Sequence, residues 1–342
     1  MRIAVWYNNR DIRIEEMPTP EIGPGEMLVR IAASGICGSD VMEWYRLGSA
    51  PLILGHEIAG EVVEVGEGVD RYKKGDRVTV AHHVPCNTCR YCRSGNHTVC
   101  DTLRTTNFDP GGFAEYVRLP AINVERGVFL LPDEVSFEEA TFVEPLACIL
   151  RGQRRANFRL GQSVLVAGSG ISGLLHVQLA RALGADRIVA TDIAEYRLKA
   201  ARKFGADMAF DAEDYTPDLF REANHGYLAD LVVVCTGAAA AVDQAMKSVE
   251  RGGTILLFAP TAPGVDTSIS INDFFWRTDR TMTTSYAGSP ADYAAALELL
   301  HARRLPVSEM ITHRLGLGET GEGFRFVAEG RESIKVIIDP RR

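Results

Sequence analysis

Ser163-Val164-Leu165-Val166-Ala167-Gly168-Ser169-Gly170-Ile171-Ser172-Gly173-Leu174 decides how the second half of this chain folds. A compact apolar run, Ser163 to Ala167, ends at three glycines spaced G-x-G-x-x-G, and a helical pattern opens at Ile171 and continues over Leu174 to Leu183. The glycine spacing alone is a weak signal. With a buried strand before it and a helix after it, the spacing has a shared physical purpose. Gly168 permits the tight turn, Gly170 lets the backbone approach a pyrophosphate, and Gly173 lets the helix pack closely on the strand. The free amides at the helix start (Ile171, Ser172, Gly173) then meet a diphosphate with the favourable end of the helix dipole.

Moving outward, Arg187 to Thr191 is β-like and leads to Asp192, 19 residues beyond Gly173. A carboxylate there accepts hydrogen bonds from both ribose hydroxyls of an adenosine and repels a 2′-phosphate, so the predicted cofactor is NAD rather than NADP. The bland alternative is a structural β-turn-α with a solvated aspartate. Arg197 either lies flat on the adenine or is an ordinary surface arginine. Thr236, just past the apolar run Leu231 to Val234, joins the predicted cofactor set. Helical patterns at Arg197 to Phe204 and Ala238 to Glu250 alternate with the β-like runs Leu231 to Val234 and Thr254 to Phe258. That alternation predicts right-handed βαβ units and a parallel sheet covered on both faces.

The first 120 residues have another texture. Short strands are predicted at Met27 to Ala32, Glu57 to Val65 and Arg77 to Ala81, separated by turns such as Pro24-Gly25, Lys74-Gly75-Asp76 and Pro110-Gly111-Gly112. Such punctuation suggests a barrel or sandwich-like domain. Beyond about residue 285 come a helix, Ala291 to Arg303, and a last β segment, Ile334 to Ile338. At 342 residues the chain is long enough for two domains. Its 37 basic and 45 acidic side chains leave a net charge of −8 with no basic stripe, which disfavours nucleic-acid binding. No apolar stretch approaches the ~18 residues of a membrane span, and the N-terminus turns polar too soon for a secretory leader. A cytoplasmic, reducing setting is therefore expected, where clustered thiols mean metal rather than disulfides.

Cys86-x-x-Cys89-x-x-Cys92-x7-Cys100 places four thiols within 15 residues. They can close a tetrahedron around Zn²⁺ with no open position, so this zinc is expected to be structural. An iron–sulfur cluster is the competitor, but the fourth cysteine lies too far off and no proline follows it. Cys37 (in Gly35-Ile36-Cys37-Gly38-Ser39-Asp40), His56-Glu57 and Glu144 (in Phe142-Val143-Glu144-Pro145) are a dispersed polar set. Taken singly, each reads as a buried hydrophobe, a satisfied core histidine or a helix-entry cap.

Gly55-His56-Glu57-x-x-Gly60-x5-Gly66-x-x-Val69 resembles the zinc signature of the medium-chain zinc-dependent alcohol dehydrogenases. The four-cysteine lobe, the glycine turn and the Cys37 segment follow that family's order and spacing, so the resemblance covers essentially the whole chain. It is nearest to the polyol (sorbitol-like) and threonine dehydrogenase branch, which has a glutamate where Glu144 stands. The resemblance implies an α/β plus β fold: a GroES-like β-barrel catalytic domain over 1–150 and 286–342, with the structural-zinc lobe at about 84–101, and a Rossmann doubly wound parallel-sheet coenzyme domain over 151–285. It further implies two zinc ions per chain, NAD, and a homodimer or homotetramer.

Carried over residue by residue, Cys37 and His56 match the catalytic-zinc ligands, and Glu57 and Glu144 match two acids, either of which ligates the metal or holds its water. Ser39 matches the hydroxyl that takes the substrate's proton. The implied reaction interconverts a polar secondary alcohol (polyol, cyclitol or sugar-like) and its ketone, with hydride passing to the nicotinamide. Zinc supplies the acidity that the alcohol lacks. The alternatives are an L-threonine 3-dehydrogenase-like or simple secondary-alcohol dehydrogenase and, further off, a non-catalytic NAD-binding scaffold.

Three departures from the family pattern matter. Met42 stands where many relatives carry a relay histidine, Gly38 where the animal branch has a basic pyrophosphate contact, and Ser285-Tyr286 where sorbitol dehydrogenases carry Arg-Tyr. His83 matches a threonine dehydrogenase histidine but reads as a surface residue. Trp44, Phe108 and Phe275 read as core packing, Cys148 and Cys235 as core filler, and the Arg151 to Arg155 run as a solvated helix face or subunit contact.

Overall fold

The computed structural model of the chain describes residues 1–330 and 332–342. The chain divides into two compact units, Met1–Ala147 with Gly288–Arg342, and Cys148–Ala287.

The first unit opens with β1 (Arg2–Asn8), β2 (Asp11–Glu16), β3 (Met27–Gly35), β4 (Leu52–Ile53), β5 (Glu57–Val65), β6 (Arg77–Val80), β7 (Tyr116–Leu119) and β8 (Val128–Leu130). The second carries β9 (Val164–Ala167), β10 (Ile188–Asp192), β11 (Met208–Asp211), β12 (Ala229–Val234), β13 (Val249–Leu257) and β14 (Thr281–Thr284). β15 (Ile311–Gly316) and β16 (Lys335–Asp339) return to the first unit.

In the first unit a seven-stranded sheet runs β15-β16-β3-β5-β6-β8, with β7 also on β3, beside a small sheet β2-β1-β4. Most neighbours are antiparallel, which suits the short turns read from the sequence. Alternate residues of a strand share a face, so Met27, Val29 and Ile31 of β3 join Ile58 and Val62 of β5 and Val78 and Val80 of β6 in one closed core. A second core gathers Trp6, Ile36, Phe113, Phe324, Val336 and Ile338. Between them the edge-to-edge pairings of β16, β3 and β5 set the positions of Gly35, Glu57 and Lys335.

The second unit has the expected parallel sheet, ordered β11-β10-β9-β12-β13-β14 with every neighbouring pair parallel. β9 and β12 are near-continuous apolar runs because helices cover both faces of such a sheet. Predicted element edges move by a few residues: β10 includes Asp192, and the helix expected from Arg197 starts at Glu195. No described helix is long and apolar enough to cross a membrane.

Several side chains correct the sequence reading. Trp44 and Phe275 are about half exposed rather than core, while Phe108 is buried as expected. Each sits on a helix of only one turn and has a single aromatic neighbour, Tyr45 for Trp44 and Phe274 for Phe275, so one side of the ring stays in solvent. Cys148 and Cys235 are partly rather than fully buried. Arg154 and Arg155 are exposed on the helix Val143–Arg155, as a solvated face requires, whereas Arg151 is partly buried.

Candidate metal and dinucleotide sites

The four-cysteine lobe is built by local turns. Asn87 adopts φ +61, a left-handed turn that asparagine tolerates, and the amides of Thr88 and Cys89 then donate to Cys86 Sγ at 3.4 and 3.3 Å. The short helix Arg90–Arg93 carries Cys92, and the turn His97–Val99 delivers Cys100. All four sulfurs lie within 4.8 Å of one another. The Cys89–Cys92 and Cys86–Cys100 separations are 3.5 and 3.6 Å. These are far too long for disulfides and close to the edge of about 3.8 Å of a ZnS₄ tetrahedron with Zn–S near ~2.3 Å. The Thr88 hydroxyl and amide and the Cys89 amide pull the Cys86 thiol down to about 5, whereas burial pushes Cys92 up to about 12. The donor set fits a structural zinc.

The dispersed residues converge as well. Cys37 follows the end of β3, and His56-Glu57 sits at the start of β5, which pairs with β3 through Gly35 and Glu57. Gly55 adopts φ +91 with the backbone of Gly112 and Phe113 2.9 Å from where a Cβ would be, so only glycine makes the turn that presents His56. One donor atom each from Cys37, His56 and Glu57 lies within 4.8 Å of the others. A thiolate, an imidazole and a carboxylate at that spacing suit a tetrahedral zinc that keeps a position open.

Glu144 is buried near the start of the helix Val143–Arg155 but is not a member of this group, so of the two acids the structure places Glu57 with the ligand pair. The Ser39 hydroxyl lies 3.4 Å from Cys37 Sγ and its amide donates to the same sulfur at 3.4 Å. Met42 is half-buried at the entry to the helix Glu43–Arg46.

Two groups that sequence reasoning passed over complete the surroundings. Asp40 is fully buried. It accepts from the Cys37 amide at 3.0 Å, faces His56 Nδ1 at 3.3 Å and lies 3.9 Å from Arg46. With Nδ1 turned to a carboxylate, Nε2 is the ring nitrogen left for a metal. Burial opposes a charge on His56, but the Asp40 and Cys37 side chains outweigh it and raise its pKa well above the ordinary value. Lys335 is the second group: its wholly buried ammonium bonds Glu57 Oε2. Asp40 was legible as part of the Cys37 segment, but nothing local marked Lys335.

His83 is not a surface residue: its Nδ1 lies 2.7 Å from the Thr106 carbonyl. Its ring is tilted by 37° against that of His82 with centroids 3.9 Å apart, and His82 lies 4.9 Å from the His56 ring. Burial and the neighbouring imidazoles hold His82 well below the usual histidine range.

In the second unit β9 is central, with β10 on one side and β12 on the other, so strand order reverses at the β9/β12 boundary. Ligands of open parallel sheets bind at such a switch point, outside the carboxyl ends of the strands. Gly168 ends β9 with φ +93, and the Thr236 side chain lies 3.1 Å from where its Cβ would be. A Cβ on Gly173 would overlap the Gly168 carbonyl, whereas one on Gly170 would meet nothing within 4 Å. Protein packing therefore explains Gly173; the empty space at Gly170 is a cradle for something else.

The helix Ile171–Ala182 starts without a side-chain cap, so its first amides, Ile171 to Gly173, stay available. Asp192 accepts from the Ser169 and Ala194 amides at 2.8 and 3.0 Å. It is not the solvated aspartate of the bland reading. Arg197 lies 3.7 Å from Asp192 and donates to the Tyr196 hydroxyl at 2.8 Å. The donor geometry and the uncapped helix fit a dinucleotide.

Comparison with known proteins agrees in both units. The alcohol dehydrogenase GroES-like domain family matches residues 23–133, and the zinc-binding dehydrogenase family matches residues 172–302. The chain is 33% identical to a sorbitol dehydrogenase of Gallus gallus, over 98% of this chain and 95% of that protein. It is 32% identical to an L-threonine 3-dehydrogenase of Sinorhizobium medicae, over 95% and 94%. A zinc-binding dehydrogenase of Sinorhizobium meliloti solved with NADP superposes with a TM-score of 0.88 at 28% identity, covering 99% of both chains.

Proposed function

Because the chain belongs to the medium-chain zinc-dependent alcohol dehydrogenase family, on its polyol and threonine dehydrogenase branch, we propose that it oxidises a polar secondary alcohol to a ketone at Cys37, His56 and Glu57. The chain is a zinc- and NAD-dependent oxidoreductase. The observation that carries the site is the convergence of those three donors within 4.8 Å from segments distant in sequence. A zinc ion, when bound, supplies the Lewis acidity that brings a coordinated hydroxyl from a pKa near ~16 toward about 7, and NAD⁺ accepts the hydride.

The chain's own groups do the rest. Cys37 and His56 hold the ion, with Asp40 fixing the His56 ring by its Nδ1. Ser39 takes the substrate proton: its hydroxyl lies 3.4 Å from Cys37 Sγ and so borders the same position. Gly168 to Gly173 and Thr236 hold the diphosphate, and Asp192 the adenosine ribose, where its charge favours NAD over NADP. Cys86, Cys89, Cys92 and Cys100 bind the second, structural zinc.

A polar substrate is favoured by the relatives: sorbitol and L-threonine, named for the dehydrogenases this chain is similar to, both carry a polar group adjacent to a secondary hydroxyl. A cytoplasmic setting, which keeps thiols reduced, would leave the four cysteines of the lobe available to a metal. The exposed Ile271 and Trp276, and β14 as an uncovered sheet edge later in the chain, suit association into a homodimer or homotetramer, checked by light scattering.

Metal analysis tests the assignment. The purified chain is expected to hold two zinc ions. Cys37→Ala should lose one together with turnover on polyols while still binding NAD; Cys100→Ser should lose the other together with thermal stability. A Cys37→Ala protein that keeps both ions, or keeps turnover, overturns the site.

A further inference from the structure

In the segment Trp44-Tyr45-Arg46-Leu47 the usual order of burial is reversed. Trp44, Tyr45 and Leu47 are 48%, 53% and 50% exposed, while the arginine among them has a side chain only 22% exposed. Apolar side chains gain by leaving water and arginine rarely does, so something holds Arg46 inward. Two residues of the metal site do so. Its Nε donates to the Ser39 carbonyl at 3.2 Å, and Nη2 lies 3.9 Å from Asp40 Oδ1, the same oxygen that faces His56 Nδ1. The Tyr45 ring backs the guanidinium, with Cζ 4.6 Å from its centroid.

A guanidinium has five N–H donors in a planar fork. Here one is used, on Ser39, because the Asp40 contact is an ion pair beyond hydrogen-bond reach. Glu43, the other acid of the segment, accepts from the Asn9 amide instead. Among the described residues the Nη1 and Nη2 donors therefore have no hydrogen-bond partner. That paired edge matches the two oxygens of a carboxylate. No other lysine or arginine contacts Ser39, Asp40 or His56 among the described residues. A single fixed charge balances a carboxylate and falls short of a phosphate dianion.

We propose that Arg46 is a specificity residue that binds a carboxylate on the substrate, so that the preferred secondary alcohol belongs to a hydroxy acid of the sugar-acid class rather than to a neutral polyol. The inference rests on the alcohol oxidation at Cys37 and His56 proposed above. Ser39, which takes the substrate proton, is held by the same arginine, so the acid and alcohol ends of one small molecule are gripped side by side. A neutral polyol leaves the Nη donors to water and gains nothing from their charge.

The test compares matched pairs, sorbitol with gluconate and galactitol with galactonate, on the zinc-loaded enzyme. Oxidation is followed as NAD⁺ reduction, and binding by calorimetry. The acid of a pair is expected to bind more tightly and to have the higher kcat/KM. Arg46→Gln should raise KM and Kd for the acid roughly tenfold or more, and for the polyol by no more than about twofold, since the acid alone loses a charge-assisted hydrogen bond. Both zinc ions should be retained. Arg46→Lys keeps the charge without the fork, so its effect on the acid should be smaller, and it carries the test where Arg46→Gln does not fold. A loss shared equally by acid and polyol is what a purely structural hold on Ser39 and Asp40 would give, and it overturns the proposal. Acids that bind the wild type no better than their polyols overturn it as well. Acids bound through Arg46, with no member of either pair oxidised, would support the carboxylate site and overturn the oxidation reading instead.

Discussion

Asp40 and His56 face each other across 3.3 Å, with the aspartate side chain fully buried and the histidine 13% exposed. Burial opposes ionisation of Asp40, but His56, the Cys37 amide and Arg46 outweigh it and hold its carboxyl below the usual range. The charged aspartate fixes both the tautomer and the tilt of the imidazole. Asp40→Asn keeps the shape and removes the charge, so it should weaken metal retention and kcat by roughly 10- to 100-fold. Zinc content after dialysis against a weak chelator checks this; full retention would leave Asp40 no part in holding the metal.

Gly170 and Gly173 separate ligand space from packing space. The Cβ of Gly170→Ala meets no protein atom within 4 Å and should leave Tm within ~2 °C, yet it should weaken NAD binding followed by fluorescence or calorimetry. Gly173→Val overlaps the Gly168 carbonyl and should destabilise the fold by about 3 kcal/mol. Equal effects of the two on stability would contradict the cradle at Gly170.

Asp192 is expected to set cofactor choice. Asp192→Asn removes the charge that repels a 2′-phosphate, and a charge-assisted hydrogen bond to a ribose hydroxyl contributes about 1.5–3 kcal/mol. NAD should therefore bind roughly tenfold or more weakly while NADP gains. The ratio of kcat/KM for the two cofactors is the readout, and an unchanged ratio counts against the assignment.

His176 gives the second unit an acid-sensitive point. It is buried inside the helix Ile171–Ala182, with Gln153 Nε2 3.3 Å from its Nδ1 and the Phe258 ring edge-on at 4.8 Å. Burial lowers its pKa from 6.5 to about 3. The unfolded chain binds a proton there below pH 6.5 that the folded chain refuses until about pH 3, so stability is full above 6.5 and lost as the pH falls through that window. Between pH 7.5 and 5.5 the loss from this group is about 1.4 kcal/mol. Urea titrations at the two pH values should show the unfolding free energy of the wild type falling by that amount more than that of His176→Gln; identical pH dependence would exclude it.

Features closed by a few neighbouring residues were readable from the amino acids. The turn Gly168 to Gly173 and the cluster Cys86 to Cys100 are legible because a few consecutive torsions close each of them, and glycine or cysteine at fixed spacing has few other uses. Alternation located β5, and compact apolar runs located β9, β10 and β12 to within a few residues, since such patterns are local; β11 and β14, at the sheet's two edges, had no such run to read.

The remaining contacts exist only once distant strands have paired. Sheet register between β16, β3 and β5 brings Lys335 to Glu57, the folded first unit leaves Glu144 out of the donor group, and His82 lies between the rings of His56 and His83. Each of these contacts joins side chains through packing or backbone pairing between segments far apart in the chain. Such pairing depends on which strands become neighbours, and no local pattern around a lysine at the start of a strand records that choice.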